Sequence, residues 1–358
     1  MKIATLVGAR PQFIKAFPVS REIRKSNEEF LIHTGQHYDH ELSNLFFEEL
    51  GIPEPDVNLL VGSGSHAEQT ATMLVGVERE LVRYKPDILV VYGDTNSTLS
   101  GALAAAKLGV KIAHVEAGMR CGDISMPEEI NRRLTDAVSA ILFCSTDEAV
   151  GNLRREGVTE GLHMVGDVMV DALELTLPVV RTRLDTIKRL GLEKGEYVFC
   201  TVHRASNLSE EHLGSIAEAL LRTERTVVFP VHPGTGKTLS EYGLMVSLQS
   251  AAHIRVPGPV SYGESLILQE SAYAVLTDSG GVQKEAYMLG TPCITLRDET
   301  EWTGTVESGW NILVGTNPER ILEALRTFRP GCDRPNLFGD GLASQRIAEV
   351  LNGWESEP

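Results

Sequence analysis

The sequence has no run of lysines and arginines, no C-x-x-C pair, no low-complexity tract, no short-period repeat and no apolar stretch of membrane-spanning length. Each absence removes a class. With 33 Lys+Arg against 49 Asp+Glu, a net charge of -16 and a pI near 5.1, no positive field exists to hold a polyanion, so no nucleic-acid partner is expected. The 5 cysteines (Cys121, Cys144, Cys200, Cys293, Cys332) are scattered and odd in number, which suggests neither a disulfide framework nor a zinc site. The opening "MKIATLVGARPQF" turns polar too early for a secretory signal, so a cytoplasmic protein with no membrane partner is expected.

What is present is a repeating grammar. A chain of 358 residues with 42% hydrophobic content is long enough for two domains, each with its own core. "KIATLV", "FLIHTG", "DILVVYGD", "KIAHVEAG", "AILFCS" and "HMVGD" read as six strands, apolar on both faces as a helix-covered sheet requires. Helical patterns such as "STLSGALAAAKLG", with Gly109 as its stop, lie between them. After a charged interval around Arg181 to Glu196, the best candidate for a helix and linker, the grammar restarts with "YVFCTVHR", "TVVFPVHP", "HIRVPG", "AYAVLTDSGG" and "TPCITL". The expected fold is α/β: two Rossmann-like domains facing each other across a cleft, residues 1–168 and 169–339, with a terminal helix at about 340–358 packing back on the first.

In open α/β sheets ligands bind beyond the carboxyl ends of the strands. Polar residues at those ends are Arg10 with Lys15, Asp94 and Glu116 in the first half, and His203, His232 and Asp278 with Ser279 in the second. One half thus offers carboxylates and cations. The other offers histidines and, in "DSGGVQKEA", a turn whose backbone N–H groups and helix N-terminus suit a diphosphate, against the plainer alternative of a capped tight turn. Glu285, about one turn into that helix, could accept from ribose hydroxyls.

Three patterns compete. "VHPGTGKT" ends like a phosphate-binding loop but has Val231 where that loop needs glycine. "VGSGSHA" fits G-x-G-x-x-A at Gly62, Gly64 and Ala67, yet does not follow the first strand. His37 and His40 have metal-compatible spacing without an accompanying carboxylate motif, so no metal is expected.

Read in order, "GARPQFIK", "TGQHYD", "GSGSHAEQT", "YGDTNSTLSGALAA", "HVEAGMR", "MPEEINR", "TVHRASN", "VHP", "LTDSGGVQKEA" and "LGTPCITLRDETEW" resemble the non-hydrolysing UDP-N-acetylglucosamine 2-epimerases. The resemblance implies the glycosyltransferase-B fold and an isomerase without cofactor. It implies interconversion of UDP-GlcNAc and UDP-ManNAc by elimination of UDP and its re-addition through 2-acetamidoglucal. By the same resemblance Asp94, Glu116 and Glu128 match the catalytic carboxylates. Arg10, Lys15, His203 and the Ser279-Gly280-Gly281 turn match phosphate contacts, His203 also being counted as catalytic. Glu285 matches a ribose contact, while Arg132 and His232 complete the substrate-binding set. The competing roles are an i, i+4 surface ion pair for Glu128 with Arg132 and a helix N-cap for Asp94.

The resemblance further implies a homodimer through first-domain helices and a place in surface-polysaccharide biosynthesis. Departures concern specificity. Gly234 stands where the family often has Arg, and Trp302 where many bacterial members have Arg. The interval from Glu116 to Glu128 is short, a feature shared, like Trp302, with relatives acting on UDP-2,3-diacetamido-2,3-dideoxyglucuronic acid. Asp39 and Glu68 stand where an allosteric UDP-GlcNAc is usually contacted, so weak or absent activation is expected. A hydrolysing relative, a glycosyltransferase and a nucleotide-sugar binding module are the alternatives.

Overall fold

The computed structural model describes residues 1–36, 53–121, 123–183 and 185–354. His37, Asp39 and His40 lie outside the described residues. Among those described, the chain divides into two compact units, Met1–Leu175 with Phe338–Pro358, and Thr176–Leu337.

The first unit is built on one sheet of seven strands: β1 (Lys2–Val7), β2 (Glu28–His33), β3 (Val57–Asn58), β4 (Ile88–Tyr92), β5 (Lys111–Ala117), β6 (Ile141–Cys144) and β7 (Leu162–Met164). Their order is β3-β2-β1-β4-β5-β6-β7, and every pairing is parallel. The six stretches read from sequence all form strands. β3 was missed because two residues, half-buried and exposed, carry no apolar run to detect.

The second unit repeats the order. β8 (Tyr197–Thr201), β9 (Thr226–Val228), β10 (Ile254–Arg255), β11 (Ala274–Thr277), β12 (Cys293–Thr295) and β13 (Asn311–Leu313) run β10-β9-β8-β11-β12-β13, again all parallel. Five of these were legible; β13 is three residues long and opens with asparagine. Both units are therefore doubly wound Rossmann-like domains. In each, chain order reverses at one point, between β1 and β4 in the first and between β8 and β11 in the second.

Apolar side chains on both faces of the sheets account for the layering. In the first unit Leu6, Ile32, Leu89 and Val91 pack with Val77, Leu81 and Ala102 from the covering helices; in the second Val198, Cys200 and Leu276 pack with Leu213, Leu220 and Ile321. The helix Asn96–Leu108 begins on a Thr95 capping box and ends with Gly109 in the left-handed conformation, where a Cβ would be disfavoured. At Gly101 a Cβ would run into Leu6, so glycine lets this helix lie close on β1.

The first unit runs to Leu175 in its first segment, and the helix Val168–Arg183 carries the chain from the first unit into the second. The terminal helix Ala343–Gly353 packs beside helix Arg10–Ile23. Asp171 fixes its start by accepting from Ser344 N at 2.8 Å and Ala343 N at 3.3 Å. Among the described residues no helix is long and apolar enough to cross a membrane.

Candidate active site

At the first reversal point, the loops after β1 and β4 are tied by Gln12. Its Oε1 accepts from Gly8 N (2.8 Å) and Ala9 N (3.0 Å), and its Nε2 donates to Tyr92 O (2.8 Å) and Thr98 Oγ1 (2.9 Å). Sequence reasoning passed over this residue, which stands in "RPQF" between the two cations it helps to place. Arg10 is the first residue of helix Arg10–Ile23, and Lys15 lies on the same helix. Pro11 in the first turn costs that helix no hydrogen bond, since N–H groups there have no intrahelical acceptor.

Lys15 Nζ forms an ion pair with Glu116 at the end of β5, largely withdrawn from solvent. Glu116 is held in an unusual backbone. Its φ is +73°, and the β5–β6 register shifts between Val115 and Ala117, so Glu116 is the bulged residue whose side chain is re-aimed. Opposite it, Gly93 has φ +62°. A Cβ there would lie 3.1 Å from Lys15 Nζ and 3.4 Å from Glu116 Oε2, so a side chain at this turn would crowd the ion pair, at a φ that favours glycine.

Asp94 follows. It is not the helix N-cap, because Thr95 takes that role with Thr98 N. Its carboxylate instead meets Arg132 Nη2 at 2.8 Å, and its backbone oxygen accepts from Asn131 Nδ2 at 2.9 Å. Arg132 Nη1 also reaches Glu129 at 2.9 Å. Burial works to lower the Arg132 pKa, but the Asp94 charge and the Glu129 hydrogen bond outweigh it, so the cation is fixed well above its ordinary range. The expected alternative pairing of Glu128 with Arg132 is not what forms. Glu129, fully buried, takes Arg132 and, at 2.9 Å, Arg133, while Glu128 is exposed in the first turn of helix Pro127–Val138. Lys15 with Glu116, and Asp94 with Arg132, are therefore brought together; Glu128 shares the helix of Arg132 without an ion pair to it among the described residues.

In the second unit Asp278 follows β11 and is fully buried. It accepts from His203 N at 3.1 Å, Arg204 N at 3.0 Å and Asn207 Nδ2 at 3.2 Å, and its Oδ1 lies 3.2 Å from His203 Nδ1. Burial pushes this carboxyl upward. The His203 contact and these N–H groups outweigh burial and hold it below the usual range. With Nδ1 oriented by Asp278 and 45% of the side chain exposed, His203 offers Nε2.

Ser279 caps helix Gly280–Leu289 through Val282 N. By helix geometry the N–H groups of Gly280 and Gly281 have no intrahelical partner. At Gly280 a Cβ would collide with the Glu301 carboxylate. Glu301 is paired with Arg297 at 2.8 Å and lies 3.9 Å from Arg204, so the carboxylate beside the turn is held by two cations. Glu285 is buried and accepts from Gln269 Nε2 at 2.7 Å. Trp302 is buried with Lys284 Nζ 4.3 Å over its ring.

His232 caps helix Pro233–Glu241, accepting from Gly234 N at 3.2 Å. Gly234 and Gly236 therefore lie inside a helix, and "VHPGTGKT" is not a phosphate loop. "GSGSHA" is likewise a helix entry, with Ser65 and Glu68 forming a capping box before helix His66–Tyr84.

The chain is similar to known proteins over nearly its whole length. The family model described as UDP-N-acetylglucosamine 2-epimerase matches residues 21–352. A UDP-N-acetylglucosamine 2-epimerase homolog of Methanococcus maripaludis is 51% identical over 98% of this chain and 99% of its own. A UDP-2,3-diacetamido-2,3-dideoxy-D-glucuronate 2-epimerase of Pseudomonas aeruginosa is 45% identical, covering 98% and 99%. The crystal structure of a Methanocaldococcus jannaschii UDP-GlcNAc 2-epimerase in complex with UDP-GlcNAc and UDP superposes with a TM-score of 0.93 at 43% identity, covering 99% of this chain and 100% of that one.

Proposed function

The chain belongs to the UDP-N-acetylglucosamine 2-epimerase family and is an epimerase, and from that premise we propose that it interconverts UDP-GlcNAc and UDP-ManNAc without hydrolysis. The observation that carries the proposal is the pair of reversal points: one furnished with carboxylates and cations, the other with a His203–Asp278 pair and a glycine turn opening a helix.

A sugar C2–H is too weakly acidic to be lost directly. As the C1–O bond breaks, its electron pair leaves on the β-phosphate oxygen and C1 takes on oxocarbenium character, which acidifies C2–H. A carboxylate accepts that proton, and the C1–C2 double bond of 2-acetamidoglucal forms. Negative charge grows on the departing diphosphate, so Arg10, Lys15, His203 and the N–H groups of Gly280 and Gly281 stabilise the transition state more than the ground state. Re-addition reverses the charges, with C2 protonated on the other face. Two faces need more than one acid/base group, and Asp94, Glu116 and Glu128 are assigned to this work, with Arg132 orienting Asp94. Glu285 and His232 are assigned to the nucleotide.

The Pseudomonas relative, as similar as the UDP-GlcNAc epimerases, favours one second reading: the diacetamido-glucuronate nucleotide as substrate. Incubation with each UDP-sugar in D2O, without added NAD or metal and followed by NMR, tests both. Deuterium at C2 with appearance of the 2-epimer supports epimerisation of that sugar; release of free ManNAc overturns the non-hydrolysing route.

A homodimer accompanies this reading. Helices His66–Tyr84, Asn96–Leu108 and Pro127–Val138 pack side by side and expose Val75, Val82, Leu108, Ile130 and Leu134, a face that a second copy would cover. Allosteric activation is assigned as weak or absent, since the Glu68 carboxylate is engaged by Ser65.

A further inference from the structure

We propose that Asp136, which lies under the first-domain site, is a positioning residue for proton transfer: through His114 and Gly118 it holds Glu116 and the Gly93–Asp94 turn in register. The proposal rests on the epimerase chemistry assigned above to Glu116.

Asp136 lies on helix Pro127–Val138 and is buried. Its Oδ1 is 2.6 Å from His114 Nδ1, and its Oδ2 accepts from Gly118 N at 3.1 Å and pairs with Arg120 Nη1 at 2.8 Å. His114 is fully buried, and its Nε2 lies 2.7 Å from Gly93 O. Both ring nitrogens of His114 thus face acceptors, and both bonds form together only when both carry hydrogen. One carboxylate therefore grips the chain two residues before Glu116, within β5, and two residues after it, just past the end of that strand. Through the same imidazole it grips the residue preceding Asp94.

This grip meets a specific need. Glu116 is a non-glycine residue at φ +73° in a bulge, a conformation that persists only where its surroundings over-determine it. Gly118 cannot be replaced by a bulkier anchor, since a Cβ there would strike the Ala149 carbonyl. Lys15 fixes the Glu116 carboxylate from the front; Asp136 fixes its backbone from behind. Asp136 stays ionised for the purpose: burial raises its pKa, but His114 and Arg120 together hold it below the ordinary range. Arg120 in turn is anchored by Glu156 at 2.7 Å.

The test compares Asp136→Asn with wild type. Asparagine keeps the size and an acceptor for Gly118 N but loses the charge that holds His114. The expected result is a kcat for C2 exchange lowered about 10- to 100-fold, as small misplacements of a reacting group do. KM and the Kd for UDP should stay within about twofold. In a Glu116→Gln background the same substitution should cost clearly less than it costs wild type, because the part that acts through Glu116 is already lost and only the part that acts through the Gly93–Asp94 turn remains. His114→Gln, which keeps the volume but one of the two links, should fall between.

An equal drop in both backgrounds, an unchanged kcat, or UDP affinity and melting temperature falling in step with kcat would overturn the positioning role. So would failure of both variants to fold, which would mark the network as a pillar only. Wild-type protein that exchanges no C2 proton of any UDP-sugar would remove the underlying reading, and this one with it.

Discussion

The two domains share a strand order and a reversal point, yet what they place there is opposite in kind. Beyond β1, β4 and β5 the first domain sets side chains: Lys15 against Glu116 and Asp94 against Arg132, braced from below by Gln12 and Asp136. Beyond β8 and β11 the second sets backbone, the N–H groups at Gly280 and Gly281, with one buried carboxylate, Asp278, organising His203 and the N–H groups of its loop. On the function proposed above, the residues directly after the strands would set the first edge to move protons and the second to receive a leaving anion, the two tasks that an elimination calls for.

The largest way to break that comparison is to exchange the roles. Glu116→Gln and Asp94→Asn should each lower C2–H exchange in D2O by about 10²- to 10⁴-fold, the usual worth of a positioned acid or base. The Kd for UDP by calorimetry should change little. Asp278→Ala should behave conversely. It strips the acceptor from His203 N, Arg204 N and Asn207, and each orphaned group costs about 1–3 kcal/mol, so stability and UDP affinity should fall together. An Asp278→Ala protein that binds UDP normally but exchanges no proton would dissolve the division.

A finer cut uses Gly280→Ala. Its new methyl would have to displace the Glu301 carboxylate and would narrow the approach to the helix N-terminus. We expect a Kd for UDP raised about tenfold, roughly 1.4 kcal/mol, with less change in the melting temperature than Asp278→Ala gives. Unaltered affinity would show that the anion does not approach this turn closely.

How much of this was legible follows the same physics. Strands buried on both faces announce themselves as apolar runs, so β1, β2, β4 to β7 and the first five strands of the second domain could be read; β3 and β13 are too short to make a run. Residues at strand ends were found because polarity breaks the run there. The bracing residues were not, since their signal is a polar side chain inside an apolar element, as with His114 in "KIAHVEA" or Asp136 late in an amphipathic helix. A single sequence does not say which partner such a residue will meet. Neighbours of like type were also confused: sequence could pair Arg132 with Glu128, but the helix turns Glu129 inward, and Thr95 rather than Asp94 caps its helix.

The smallest contrast is in pH dependence, and it sets two buried carboxylates against each other. Asp278 is held below its ordinary value, near 3.9 in an unfolded chain, so its contribution is present above that value and is lost as pH falls through the depressed one. Asp171, which seats the terminal helix, is pushed upward by burial despite its bonds to Ser344 and Ala343. Its contribution is present below the unfolded value and is lost as pH rises through the raised one. Urea unfolding of Asp278→Asn and Asp171→Asn between pH 3 and pH 7 should therefore diverge. Relative to wild type, the pH-dependent part should disfavour Asp278→Asn increasingly toward pH 7 and favour Asp171→Asn over the same range. Each pH unit of displaced titration amounts to about 1.4 kcal/mol. Parallel slopes would mean that Asp278 does not titrate as a held anion, and that His203 lacks the fixed charge on which the second domain's edge is built.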